Sequence, residues 1–166
     1  MRIINRGVST LILMTVSLIV FLSGCSVRSF VQDVTQEREQ GYEIIRCLDE
    51  RDSESLLKLF SNSVKEKYDL DEQIDQLFAA YEGKSVWYDK LFNVGYGDNI
   101  DNGVLTKRTA SYGVYLNMSV WMDRKYRVVV SSYSVNENEP NKVGVFCIVL
   151  ENHETGDEFT VGSLDE

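Results

Sequence analysis

The chain has 166 residues, with 17 Lys and Arg against 26 Asp and Glu, a formal net charge of −9. That balance lacks the basic footprint by which nucleic acid or anionic lipid headgroups are recognised. The length suits one hydrophobic core rather than two domains.

The chain begins with a short basic start, MRIINR, and then runs uncharged from Gly7 to Val27. Its most apolar part, Leu11 to Leu22, is interrupted only by Thr15 and Ser17 and has the length of a signal-peptide core. A retained membrane helix is the alternative, since about 20 apolar residues span a bilayer. Either way the rest of the chain lies outside the cytoplasm. The run closes on Leu22, Ser23, Gly24 and Cys25, which resembles the lipobox of bacterial lipoproteins: an aliphatic residue, a small one, Gly or Ala, then Cys. The resemblance implies cleavage after Gly24 and a diacylglyceryl thioether on Cys25. Two acyl chains anchor stably where one does not. Residues 1–24 are then a signal peptide, 25–33 the lipidated cysteine and tether, and 34–166 the domain. Removing Arg2 and Arg6 from the 17 basic residues leaves 15 against 26 acidic ones, a net charge of −11 on the mature chain.

Periodicity starts after the tether. Val34, Gly41, Ile44, Ile45 and Leu48 predict an amphipathic helix over 33–50. Asp52 before SESLLKLF caps a second, shorter helix ending near Phe60 or Ser61. In DLDEQIDQLFAAYEG, Asp69 stands three residues before Glu72 as in a capping box, Ile74, Leu77, Phe78 and Tyr81 form a stripe to be buried, and Gly83 is a stop. The period then changes. SVWYDKLF is aromatic and β-branched, GVLTKRTASYGVYLNMSVWM reads as one or two strands, and YRVVVSSYSV alternates. NENEPNK, containing Pro140, is a turn, VGVFCIVLEN a strand, and ETGDE a turn into FTVGS. Three helices followed by a meandering antiparallel sheet is an α+β layout with the helices on one face.

Candidate chemistry is sparse. The single histidine, His153, falls in a hairpin turn with solvent on most sides. Tyr88 and Asp89 are one phenol and one carboxylate without a positioned partner, so no catalytic residue is assigned. GDNIDNG fails as a calcium loop because Ile100 occupies a position that needs an oxygen ligand; Asn102–Gly103 suits a tight hairpin turn instead. No metal or cofactor is called for. Cys47 and Cys147 sit in apolar runs where they can be small buried hydrophobes, although an oxidising compartment also permits a disulfide between them. The aromatic residues cluster in the strand half, and Trp87, Tyr88, Tyr112 and Tyr126 are candidates to line a pocket for a small apolar ligand.

Three phrases carry a family resemblance: LDERDSESLLKLFS, EGKSVWYD after the third helix, and YRVVVSSYSVNENEPNKVGVFCIVLE. They resemble the NTF2-like, cystatin-like superfamily and, within it, DUF5104, a group of small Gram-positive lipoproteins of unknown function. The resemblance implies a curved sheet wrapped as a cone around three N-terminal helices, often enclosing a pocket and often forming a homodimer through the sheet. It implies no activity. The expected role is a lipid-anchored, non-enzymatic module on the extracytoplasmic face of the membrane, binding a ligand or an envelope protein. A small-molecule enzyme of the ketosteroid isomerase type, using the same cone, is the alternative.

Overall fold

The structure, a computed structural model, describes residues 35–88, 92–117 and 125–165; the side chains of 87, 88, 92–94 and 117 are outside the description. The leader, the lipobox and Cys25 therefore lie outside the described residues, as do Asp89 and Trp121. Among the described residues no helix is long and apolar enough to cross a membrane.

The described part of helix α1 is residues 35–50. It is followed by α2 (Ser53–Leu59), α3 (Asn62–Lys67) and α4 (Leu70–Ala80). The predicted starts of α2 and α4 are capped as their sequences imply: Asp52 accepts a hydrogen bond from Ser55 N–H at 3.0 Å, and Asp69 from Glu72 N–H at 3.3 Å. Helix α3 is an addition to the three expected helices. Val64 is its one buried residue, too little pattern to reveal a six-residue helix.

Among the described residues six strands follow: β1 (Trp87–Tyr88), β2 (Phe92–Asp101), β3 (Val104–Asn117), β4 (Tyr126–Asn136), β5 (Gly144–Asn152) and β6 (Glu158–Gly162). All neighbours pair antiparallel. The sheet runs β3–β4–β5–β6, and β1 and β2 share the remaining side of β3. The fold is thus α+β, helices first and antiparallel sheet after. Strand β2 is an addition to the sequence reading, which gives no element to NVGYGDNID. The turn was read correctly: Asn102 and Gly103 link β2 to β3 with φ of 48° and 81°, the left-handed pair that a two-residue hairpin needs. The proline-containing turn between β4 and β5 holds one turn of 3₁₀ helix, Pro140–Lys142.

Residues 37–166 close into one compact unit. Its core is the inner face of the sheet, Tyr112, Val114, Leu116, Tyr126, Val128, Val130, Ile148, Leu150 and Val161, against Ile44, Ile45, Leu48, Leu56, Ile74 and Leu77 of the helices. Each such side chain contributes about 1.5–3 kcal/mol by leaving water. Between α2 and α3 the chain straightens, and Phe60 forms a parallel bridge to Val145, with Ser61 N–H donating to the Val145 carbonyl at 2.9 Å. Cys47 and Cys147 are both buried and both free thiols, which answers the disulfide question left open by the sequence. Burial pushes both up to about 11, so they are inert as nucleophiles at neutral pH.

Arg46 gathers the carboxylates around the α1–α2 junction. It reaches Glu43 at 2.6 Å and Asp52 at 2.9 Å, and also pairs with Glu50. The Ser55 amide and hydroxyl, then the Arg46 guanidinium, hold the Asp52 carboxyl down at about 2. A carboxyl depressed in the folded state stabilises fully above its ordinary value of 3.8, and loses that contribution as pH falls through the folded value. The melting-temperature gap between the parent chain and Asp52→Ala should therefore be constant above about pH 5 and shrink between about pH 4 and pH 2. A gap unchanged at pH 2 would show that ionised Asp52 is not what holds the junction.

Candidate functional site

Helix α1 turns one stripe to the sheet, and the stripe changes character along its length. Ile44, Ile45 and Leu48 are apolar and buried, whereas one and two turns earlier the same register carries Gln40 and Glu37. Glu37 is only 2% exposed. A carboxylate is driven out of such a place unless partners are supplied, and the sheet supplies them. Tyr96 of β2 donates its hydroxyl to Glu37 Oε2 at 3.3 Å, and Tyr112 of β3 donates to Gln40 Oε1 at 2.7 Å. Tyr96 pairs with Ala110 in the β2–β3 ladder, and Ala110 with Ser132 of β4. Alternation thus puts Tyr96, Ala110, Tyr112 and the buried Ser132 on one face.

Next to Tyr96, Arg108 grips Asp98 through two hydrogen bonds of 2.8 Å, and its guanidinium carbon lies 5.4 Å from the Tyr96 ring centroid. Arg108 in turn holds the Asp98 carboxyl below its ordinary value. Burial, then the negative charge of Glu37, pushes the Tyr112 phenol far above its ordinary range. Tyr112 is therefore a neutral donor at neutral pH, and Glu37 is an acceptor of the same niche. Within the niche the two phenols donate to the two acceptors of α1, Tyr112 to Gln40 and Tyr96 to Glu37. Among the described residues, no group of three or more His, Cys, Asp or Glu is placed to hold a metal ion.

The sequence-derived candidates divide. Tyr112 belongs to the niche. Tyr126 is buried elsewhere, where its hydroxyl donates to the Ala80 carbonyl at 3.2 Å and accepts from Glu82 N–H at 3.1 Å. With both capacities used by backbone, it acts as a staple on the end of α4. Trp87 and Tyr88 form β1 against Asn117 and Leu116, and their side chains are outside the description. His153 is exposed in the β5–β6 turn with its ring 5.6 Å from that of Tyr115. Glu37, Gln40 and Tyr96 were missed. The available signal was register: Glu37 lies four residues before Gly41 and seven before Ile44, so the predicted helix places a charge on its buried stripe.

A family model described as "Domain of unknown function (DUF5104)" matches residues 43–153, about two thirds of the chain. The chain belongs to this family. No curated protein matches it. The DUF5104 match opens inside α1 and closes after β5, so it includes Tyr96, Asp98, Arg108 and Tyr112 on the sheet side of the niche. Glu37 and Gln40 precede the matched span.

Proposed function

We propose that this DUF5104 member is a lipoprotein held on the extracytoplasmic face of the membrane through diacylglyceryl-Cys25, whose domain is an NTF2-like cone binding a small ligand without catalysis. The observation that carries the binding role is the polar niche in an otherwise apolar interior, with the Glu37 carboxylate and the Tyr96, Tyr112 and Gln40 side chains converging on it. Buried polar groups cost stability relative to apolar filler, and a function at the niche is a reason for a fold to keep them. The anchor rests on the match of Leu22, Ser23, Gly24 and Cys25 to the lipobox pattern.

One observation favours the alternative, an enzyme of the ketosteroid isomerase type. A neutral Tyr112 donor beside the charge of Glu37 is the kind of pair that proton transfer uses. It differs from a binder in requiring Glu37 to exchange protons with the ligand.

Two masses test the proposal on the full chain purified from its own membrane in mild detergent. The intact mass should show an N-terminal Cys25 carrying diacylglycerol, and an unmodified Cys25 would refute the anchor. The native mass should exceed the denatured mass by one small molecule, reduced in Glu37→Gln. A native mass with no excess would refute the ligand-binding role and leave interaction with an envelope protein.

A further inference from the structure

The two ends of the sheet are finished differently. At one end α4 packs against β6, and Gln73 Oε1 accepts from Gly162 N–H at 2.8 Å. The start of β5, which extends past β6, takes Phe60 as its neighbour. The other end is β2, which among the described residues pairs with β3 alone. Gly95 and residues 97–101 of this strand are exposed. A glycine has no side chain, so exposure at Gly95 and Gly97 is exposure of the main chain, and a strand paired on one side alone carries alternate amides and carbonyls on its other edge. An open row of such groups is a template for another strand.

The register of β2 says where a second strand would fit. Its ladder to β3 slips between Phe92 and Gly95 and again between Asn99 and Ile100. The regular run between the slips is Gly95–Asn99, centred on Gly97. Beyond it, Ile100 is 65% and Val104 55% exposed, two large apolar residues beside the hairpin turn that the described residues leave open. Asp98 and Asp101 are the charged residues of the strand, and Asp98 is neutralised by Arg108.

We propose that β2 is the seam of a homodimer, in which two copies of this chain pair antiparallel with Gly97 of one opposite Gly97 of the other. About this centre Asp98 meets Tyr96 and Gly95 meets Asn99, so within the regular run no two carboxylates face each other. A centre one residue later sets Asp98 against itself, which like-charge repulsion disfavours. A centre one residue earlier runs the pairing into the slip before Gly95. The strand is thus complementary to itself in one register, and this selects a second copy over an unrelated extended segment. The Ile100 of each copy extends along the partner edge, where its side chain leaves water.

Cysteine cross-linking in native membranes of the full chain tests the seam. Directly opposed antiparallel residues have Cα atoms about 4.5–5.5 Å apart, inside the range a disulfide spans. Neither glycine has a positive φ, and a Cβ at either would lie 3.9–4.0 Å from its nearest neighbour, so cysteine fits without disturbing the fold. On mild oxidation Gly97→Cys should give a disulfide-linked dimer by itself. Gly95→Cys and Asn99→Cys should each remain monomeric alone, the like positions being about 13 Å apart along the strand, and should cross-link when co-expressed. Monomer only from Gly97→Cys, or equal cross-linking from the exposed control Lys84→Cys, would overturn the proposal.

Discussion

Replacing Gly162 by Ala is expected to lower the free energy of unfolding by about 3–5 kcal/mol, among the largest losses from one methyl group. Gly162 ends β6 with φ of 82°, where an L-residue costs about 1–2 kcal/mol. The larger part is a collision. A Cβ there would lie 2.1 Å from the Phe146 carbonyl oxygen and 3.0 Å from its carbon, and backbone in the middle of a sheet cannot step aside. That same carbonyl already accepts from Ser163 N–H at 3.0 Å, and Gly162 N–H donates to Gln73 of α4. Moving the strand end therefore loosens β6 from β5 and α4 from the sheet together. Gly103→Ala supplies the control. Gly103 has φ of 81° with nothing within 4 Å of the added Cβ, so it meets the backbone cost alone, about 1–2 kcal/mol. Chemical denaturation of the three chains should separate the two effects, with a melting-temperature loss near 10 °C for Gly162→Ala at roughly 2–4 °C per kcal/mol. Equal losses at the two glycines would mean that β6 does not approach β5 as closely as described.

Elements with strong local chemistry could be read from the sequence, and elements defined by their neighbours could not. Helix α4 announced itself through Asp69, Glu72 and a stripe of four residues, and all four are buried. Strand β4 showed alternation, and a turn marked by Pro140 separated it from the apolar run of β5. Strand β2 gave no such signal, because Phe92–Asp101 contains two Gly, two Asn and two Asp, all poor strand formers. It is a strand because β3 extends fourteen residues and offers it a ladder. The niche was half legible for the same reason. Tyr112 followed from its place in an aromatic strand, whereas Tyr96 depended on recognising β2, and Glu37 was grouped with the charged face of α1. A buried charge follows from knowing which stripe faces the sheet.

Asp49→Ala is expected to cost about 2–4 kcal/mol, from the loss of three hydrogen bonds to a charged group, one of them from a buried phenol. Asp49 stands in the last turn of α1 and accepts from three groups beyond α4: the Tyr81 hydroxyl at 2.6 Å, Ser85 N–H at 2.8 Å and the Ser85 hydroxyl. The Tyr81 side chain is fully buried, packed at 5.2 Å against the ring of Tyr126. Burial first, then the Asp49 carboxylate, pushes its phenol far above the ordinary range, so it is always a donor. Arg51, with φ of 57°, closes the same corner by donating to the Tyr81 carbonyl at 2.6 Å. The corner ties α1, α4 and, through Tyr126, β4 to the segment that leads into β1. Removing the acceptor alone takes from the buried phenol its bond to Asp49, whereas removing both partners leaves no half of that pair behind. The double variant Asp49→Ala, Tyr81→Phe should therefore lose less stability than the two single variants added together, by about 1–3 kcal/mol. Denaturant unfolding of the four chains measures that coupling. Simple additivity would show that Asp49 holds the loop through Ser85 and that the short contact to Tyr81 contributes nothing of its own. The coupling therefore decides whether the end of α1 is fixed to the core or only to a loop, and so how rigidly α1 presents Glu37 and Gln40 to the sheet.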